Sequence, residues 1–121
     1  MYSMDNQIYR ENIMDHYKNP RNFGSIDHNL SANGNNEICG DNINFYVDCK
    51  ETNINNISFD GEACAICIAA ASMLSEKVIG KKIDDIEKIK KEEVIEMLGI
   101  NLSPIRIKCA LLPLYTLKNI K

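Results

Sequence analysis

Tryptophan is absent from the sequence, and tyrosine and phenylalanine together account for only 7% of its 121 residues. No apolar run approaches the roughly 20 residues that a membrane-spanning helix needs. The N-terminus also lacks the basic and then apolar segments of a secretory signal. Lysine and arginine number 14 against 17 acidic residues, a net charge of −3. We therefore expect no membrane partner and no nucleic-acid partner.

Repeats and linkers are lacking as well, so we expect a single domain over residues 1–121, long enough to bury one modest core. The five cysteines are an odd number in a chain without a secretory signal. Such cysteines indicate free thiols in a reducing compartment. We expect a cytoplasmic protein.

The order of the hydrophobic patterns predicts an α+β fold, with a small antiparallel sheet packed against several α-helices. Residues 43–49 alternate between apolar and polar side chains, which is typical of a half-buried strand. A turn at residues 51–53 leads into a second strand with Ile57 and Phe59 on the core face. The stretch 21–38 is rich in Asn, Gly and Ser, which indicates a loop or a weak first strand.

Helical spacing predicts a first helix over residues 5–18, with Tyr9, Ile13 and Tyr17 on its apolar face. A second helix over residues 64–79 is small and apolar all round, so it should be buried. The lone histidines of the chain, His16 and His28, are expected at the surface.

The remaining residues also predict helices. Asp84-x-x-Glu87 is similar to a capping box and predicts the start of a short helix. A second short helix should follow that one and end at Gly99. The last helix should carry Cys109, and Pro113 within it should cause a kink.

Three short segments carry the chemistry: Cys39-Gly40-Asp41, the run 61–64 that ends in Cys64, and Lys108-Cys109. Three thiolates and one carboxylate form a four-ligand set for a thiophilic metal. The ligands are spread over the chain, so the whole fold is needed to assemble them. The hard oxygen ligand is more easily displaced than a fourth thiolate, which suggests an exchangeable site. Packing of these thiols as small buried hydrophobic groups is the alternative at this point.

The neighbours of these residues suggest further roles. Cys64 should lie at a helix N-terminus, which favours its thiolate. Lys108 has no lone pair for a metal, so we assign it charge compensation beside the thiolates. Asp41 is expected in a loop, where a turn role is its alternative. The spacing of Cys64 and Cys67 is that of a redox motif, but we expect Cys67, like Cys49, to contribute to packing.

Taken together, these segments resemble the scaffold family of iron–sulfur cluster assembly, which includes SufU, IscU and the N-terminal domain of NifU. The matching stretches are residues 9–24 (YRENIMDHYKNPRNFG), Cys39-Gly40-Asp41, residues 59–74 (FDGEACAICIAAASML) and residues 103–114 (SPIRIKCALLPL). The resemblance implies a three-stranded sheet with helices packed on it. It also implies that Cys39, Asp41, Cys64 and Cys109 bind zinc or iron, or a transient [2Fe-2S] cluster. The implied partners are a cysteine desulfurase and proteins that accept or carry the cluster.

The chain combines features of two subfamilies. IscU-like members have a histidine before the last cysteine, whereas this chain has Lys108, as SufU-like members do. The 45 residues from Cys64 to Cys109 (109 − 64) match the shorter IscU-like spacing. Residues 102–106 (LSPIR) partly resemble the chaperone-recognition motif of IscU-like members, which would imply an Hsp70-type chaperone. Ser103 departs from that motif and leaves chaperone dependence open.

The expected function is to receive sulfur from a desulfurase and to assemble or relay an iron–sulfur cluster. Cys39 lies in a flexible polar segment and corresponds to the acceptor of SufU-like members, so we expect the persulfide there. One alternative is a zinc-dependent sulfurtransferase that only relays persulfide. More distant alternatives are a zinc-stabilised structural or adaptor module and a thiol oxidoreductase that uses Cys64 and Cys67. We therefore expect a non-enzymatic scaffold or carrier, with the persulfide-relaying sulfurtransferase as the enzymatic alternative.

Overall fold

Three antiparallel strands and the helices packed on one of their faces make up the fold. The computed structural model describes the backbone of residues 2–121 and the side chains of residues 7–121. The elements in chain order are α1 (Tyr2–Lys18), β1 (Leu30–Asn36), β2 (Asp41–Lys50), β3 (Asn53–Glu62), α2 (Ala65–Val78), a 3₁₀ helix (Ile83–Lys88), α3 (Lys91–Leu98) and α4 (Pro104–Lys118). The strands pair in the order β1-β2-β3. The predicted α+β class and three-stranded sheet are confirmed.

The central strand, β2, follows the predicted alternation. Ile43, Phe45 and Val47 are fully buried, whereas Asn42 and Asn44 lie on the opposite face of the sheet. This pattern is interrupted near Cys49, where the pairing of β2 with β3 shifts register. Cys49 is therefore only partly buried, although it packs at the edge of the core as expected.

The weak first strand does form. Its residues, LSANGNN, show little hydrophobic pattern, but β1 pairs with β2 along its whole length, from Leu30 opposite Val47 to Asn36 opposite Asp41. Gly34 allows this strand to approach α4 closely: a Cβ atom there would lie 1.9 Å from Oγ1 of Thr116. The missing side chain therefore brings α4, which carries Cys109, directly against the sheet.

The helix α2 is the most buried of the helices that the structure describes. It covers residues 65–78 of the predicted 64–79, and eleven of its side chains are buried. Only two residues separate β3 from α2, and the second of them, Cys64, has the extended backbone of an N-cap (φ −67°, ψ 166°). This short connection places Cys64 at the junction of sheet and helix.

The helix α4 begins as its sequence requires. Ser103 is the N-cap, and its Oγ accepts a hydrogen bond of 3.4 Å from the backbone N–H of Arg106, while Pro104 occupies the first turn. Pro113 lies inside the helix as predicted. It cannot donate the hydrogen bond that the carbonyl of Cys109 would otherwise accept.

Two local predictions were wrong. The helix predicted to start near Asp84 forms as the 3₁₀ helix, but Asp84 and Glu87 do not cap it; instead the backbone N–H of Lys82 donates to Oδ2 of Asp85 (3.1 Å). His16, expected at the surface, is buried on the inner face of α1. Among the helices of residues 2–121, none is long and apolar enough to span a membrane.

The buried His16 connects α1 to α2. Its Nδ1 lies 2.7 Å from Oγ of Ser72, and that oxygen also accepts a hydrogen bond of 2.9 Å from the backbone N–H of Arg21. Its Nε2 lies 3.8 Å from Oε1 of Glu76. Burial lowers the pKa of His16 below its ordinary value of 6.5, and the charge of Arg21 lowers it further, while Glu76 and Asp15 oppose the shift.

We expect the protein to lose stability as the pH falls below 6.5. The folded state holds His16 neutral there, whereas the unfolded chain binds a proton at that site, so the free energy of unfolding declines between 6.5 and the lower folded pKa. Urea unfolding at about pH 7.5 and about pH 5.5 would measure this loss. His16→Gln should reduce the difference, and His28→Gln, at an exposed histidine, should not. Equal pH dependence in wild type and His16→Gln would contradict the assignment.

Candidate metal centre

The three cysteine segments meet at one end of the sheet. Cys39 is exposed in the four-residue turn between β1 and β2, and Cys64 is half-buried at the start of α2. Cys109 is only 1% exposed in the second turn of α4. Asp41 is the first residue of β2, paired with Asn36, and is 3% exposed. The expectation that Asp41 lies in a loop was wrong, because strand pairing with β1 begins there.

Three of the four predicted ligands lie together. The three donor atoms lie within 4.8 Å of one another: the Sγ atoms of Cys39 and Cys109 and one carboxylate oxygen of Asp41. The Cys109 Sγ–H donates to Cys39 Sγ, with the two sulfur atoms 3.2 Å apart. Donor atoms at these separations are close enough to share one metal ion, whose bonds to thiolate and carboxylate are about 2.0–2.3 Å long.

Cys64 borders this cluster without being a member of it. It lines a cavity of about 270 Å³ together with Cys39, Cys109, Ile105 and Arg106. Its backbone N–H donates a 3.0 Å hydrogen bond to Oδ1 of Asp41. The N-terminus of α2 therefore holds the carboxylate in place, and the Cys64 thiol faces the same cavity.

The second carboxylate oxygen of Asp41 tests whether the site suits a cation. Oδ2 of Asp41 is buried and has no hydrogen-bond partner among the residues that the structure describes. A buried carboxylate oxygen without a partner is unfavourable by about 1–3 kcal/mol or more. The thiols of Cys39 and Cys109 lie close enough to the Asp41 carboxylate to share one metal ion with it. A thiophilic cation bound by these three groups would therefore compensate the buried carboxylate oxygen. The donor set fits zinc or iron.

The electrostatics link metal binding to proton release. Burial raises the pKa of the Cys109 thiol well above its ordinary value, and its hydrogen bond to Cys39 and the nearby charges of Cys64 and Asp41 add to the effect. Cys109 is therefore a thiol at neutral pH until a cation displaces its proton. Metal binding at this site should weaken as the pH falls.

Two residues near the cluster, Arg106 and Asn36, were not assigned from the sequence. Arg106 lines the cavity, three residues before Cys109 on the same helix, a spacing that places both on one face. Asn36 approaches Cys109, with Nδ2 3.9 Å from Sγ. Lys108, predicted to compensate charge, is exposed and does not line this cavity. The helical spacing could have identified Arg106, whereas Asn36 carries no comparable signal.

The two other cysteines lie outside the cluster. Cys67 is fully buried one helical turn after Cys64, and burial raises the pKa of its thiol, with Asp41 adding to the shift. Cys49 is at the far end of β2. The structure places neither in the group formed by Cys39, Asp41 and Cys109.

Comparison with known proteins gives consistent results. The family model of the NifU-like N-terminal domain matches residues 8–119. The chain is 33% identical over 122 aligned positions to the zinc-dependent sulfurtransferase SufU of Bacillus subtilis, covering 87% of this chain and 83% of SufU. It is 34% identical over 109 positions to the iron–sulfur cluster assembly scaffold protein IscU of Escherichia coli K12, covering 86% and 84%.

A third relative and a solved structure add to this comparison. The chain is 38% identical over 96 positions to the scaffold protein IscU 1 of Archaeoglobus fulgidus, where the match covers 76% of this chain and 61% of that protein. The fold is similar to a crystal structure from Fervidobacterium islandicum, described as a putative iron–sulfur cluster assembly scaffold protein for the SUF system. That comparison has a TM-score of 0.78 and 29% identity, and it covers 93% and 95% of the two chains.

Proposed function

Because the chain belongs to the family of NifU-like N-terminal domains, we propose that it is a scaffold and sulfur acceptor of iron–sulfur cluster assembly. It receives sulfur from a cysteine desulfurase and assembles or relays a cluster. The ligands are Cys39, Asp41, Cys64 and Cys109, and a cluster on them is cargo to be passed on. The setting is the cytoplasm, and the other partners are proteins that accept or carry the cluster.

The observation that carries this proposal is the buried Oδ2 of Asp41, which has no hydrogen-bond partner within residues 7–121, beside two thiols whose sulfurs are 3.2 Å apart. A packing role for Cys39 and Cys109 would leave that oxygen without a partner. A disulfide-forming role would leave the carboxylate unexplained. A cation bound by these groups accounts for both features.

The half-buried Cys64 completes the ligand set in this proposal. Its thiol lines the cavity shared by Cys39 and Cys109, and rotation of one side chain would bring the sulfur toward the other three donors. Zinc at this position would hold the thiols as thiolates. Positive charge beside those thiolates comes from Arg106, which lines the cavity, and from the exposed Lys108 outside it.

A second candidate is a zinc-dependent sulfurtransferase that relays persulfide and builds no cluster. The similarity to a relative of that name favours it, and so does Lys108 before the last cysteine. Both candidates begin with sulfur transfer to a thiol of this site. They differ in whether iron and sulfide then accumulate on the protein.

Metal content and an anaerobic spectrum distinguish the candidates. We expect the aerobically purified protein to hold about one zinc ion, the metal that a sulfur-rich tetrahedral site retains most readily. Cys109→Ser should lose most of this zinc, whereas Cys49→Ser, the matched control, should keep it. Visible absorption of a cluster should then develop when the protein is incubated anaerobically with desulfurase, cysteine and ferrous iron.

Other outcomes would decide against the proposal. Protein-bound persulfide without a cluster spectrum would favour the sulfurtransferase. Unfolding on removal of zinc would favour a structural module, since structural zinc contributes folding energy directly. Full zinc content in Cys109→Ser, or Cys49 or Cys67 among the ligands of a metal-loaded crystal structure, would refute the ligand assignment.

Chaperone dependence is a separate proposal. Residues 102–106 span the N-cap and the first turn of α4, and Ile105 within them is 56% exposed, so this segment is accessible to a partner. An Hsp70-type chaperone would recognise such an exposed apolar residue beside Pro104.

A further inference from the structure

Cys64 and Cys67 form a pair of thiols that the proposed function does not fully use. Cys64 is the N-cap of α2, and Cys67 is the third residue of the helix, one turn further on. Side chains three residues apart lie on one helix face with Cβ atoms about 5–6 Å apart. A disulfide needs Cβ atoms about 3.5–4.5 Å apart, so the two sulfurs can join only when Cys64, whose backbone is not helical, turns toward Cys67.

The two thiols differ in their environments. Cys64 is half-buried and lines the cavity that it shares with Cys39 and Cys109. Cys67 is 0% exposed beneath it. An accessible thiol at a helix N-terminus, followed one turn later by a buried thiol, is the arrangement in which the first cysteine reacts with a partner and the second resolves the product.

Cys64 is also less constrained than the other thiols of the site. Cys39 and Cys109 are in mutual contact at 3.2 Å and lie with Asp41 in one cluster, whereas Cys64 stands outside it. The Cys64 sulfur can therefore turn either toward the cluster or back toward Cys67. A thiol with two alternative partners can bind metal in one state and take part in redox chemistry in another.

We propose that Cys64 and Cys67 reduce sulfane sulfur to sulfide within the protein, an activity that rests on the sulfur acceptance proposed above. The outer sulfur of a Cys39 persulfide passes to the Cys64 thiolate, which restores Cys39 and leaves a persulfide on Cys64. The Cys67 sulfur then attacks the inner sulfur of that persulfide. The Cys64–Cys67 disulfide forms, and the outer sulfur leaves as sulfide with the electron pair of the broken bond and the proton of Cys67.

This step balances without another reductant. The two cysteines supply the two electrons that convert sulfane sulfur to sulfide, which is the oxidation state found in iron–sulfur clusters. A dithiol reductant must afterwards reduce the disulfide to restore the pair. The consequence is that sulfide is released beside the metal ligands and not in bulk solution.

The test measures sulfide release in a single turnover. The full-length protein, with and without prior chelation of bound metal, is loaded anaerobically by a desulfurase and cysteine, and the desulfurase is removed. Released sulfide is quantified, and disulfides are located by differential alkylation and peptide mass spectrometry. Wild type and the control Cys49→Ser should release about one sulfide per loaded sulfur and gain a Cys64–Cys67 disulfide.

Cys67→Ser should retain its sulfur in cyanide-labile form, with sulfide release at least about tenfold slower. If circular dichroism shows that Cys67→Ser is unfolded, the variant Cys67→Ala is used in its place. Wild-type release rates in the Cys67 variant would overturn the inference, and so would a disulfide between Cys39 and Cys109 in place of the proposed one.

A second loading route separates this inference from the proposed function. If the desulfurase does not load the wild-type protein, the thiols are loaded with inorganic polysulfide and the excess is removed by desalting. Sulfide release with a Cys64–Cys67 disulfide would then support the redox pair while the proposed sulfur acceptance fails. If no sulfide is released after polysulfide loading, the proposed reduction of sulfane sulfur by Cys64 and Cys67 is refuted.

Discussion

Cys39→Ser is expected to reduce sulfur acceptance from the desulfurase by at least about hundredfold, because we expect the persulfide to form first on Cys39. Attack on a persulfide requires an accessible thiolate. Cys39 is exposed in the turn before β2, and the left-handed backbone of Gly40 (φ 73°) makes this tight turn possible. Cys109 is only 1% exposed and is fixed on α4. The geometry therefore favours Cys39 over Cys109 as the first acceptor.

Brief reaction with desulfurase and cysteine, followed by alkylation and peptide mass spectrometry, would locate the added sulfur. Cys49→Ser provides the control, since this cysteine lies at the far end of β2 and should not affect loading. Sulfur on Cys109 with Cys39 unmodified would contradict the prediction. The mechanism would then resemble that of IscU-like members despite Lys108.

The parts of the fold that sequence analysis predicted well are those in which one side-chain pattern determines the structure. β2 alternates strictly from Ile43 to Val47, and α2 is apolar on all sides, so burial leaves little choice of conformation. β1 has no such pattern, because its stability comes from backbone pairing with β2 and from the close approach of α4 to Gly34. The strand pairing joins residues 5 to 17 positions apart (41 − 36 and 47 − 30), and the contact of Gly34 with Thr116 spans 82 positions (116 − 34), so neither follows from the local pattern of β1.

Burial of polar residues was the least predictable feature. His16 is buried because Ser72, fifty-six residues later, offers a hydrogen-bond partner on the facing helix. Asp41 is buried because β1 pairs with it and the N-terminus of α2 donates to it. The chemical types of the candidate ligands follow from the sequence, whereas the contacts that hold them are visible only in the fold.

The candidate site itself joins elements of very different sequence separation. Cys39 and Asp41 are two residues apart, whereas Cys109 lies 70 residues beyond Cys39 and comes into contact with it only through the packing of α4 on the sheet. Arg106 arrives with the same helix. A site assembled in this way depends on the position of α4, so substitutions at Gly34, where α4 touches β1, should disturb it at a distance.

Asp41→Ala is expected to change both stability and metal exchange, because Asp41 has two separate contacts. Oδ1 accepts the hydrogen bond from Cys64 N–H, so its loss should lower the free energy of unfolding by about 1–3 kcal/mol. Oδ2 is the only hard donor of the proposed ligand set. Without it, a metal or cluster held by three thiolates should transfer to acceptor proteins more slowly or with altered selectivity.

Asp41→Asn separates the two effects, because the amide oxygen can still accept from Cys64 N–H but is a neutral and weaker ligand. Urea unfolding should therefore give near wild-type stability for Asp41→Asn and reduced stability for Asp41→Ala. Cluster transfer to an acceptor protein, followed by visible spectroscopy, should be altered in both variants. Wild-type transfer in Asp41→Asn would remove the carboxylate from the exchange mechanism. Wild-type stability in Asp41→Ala would show that the hydrogen bond to Cys64 contributes little, and that the buried position of Asp41 serves the metal alone.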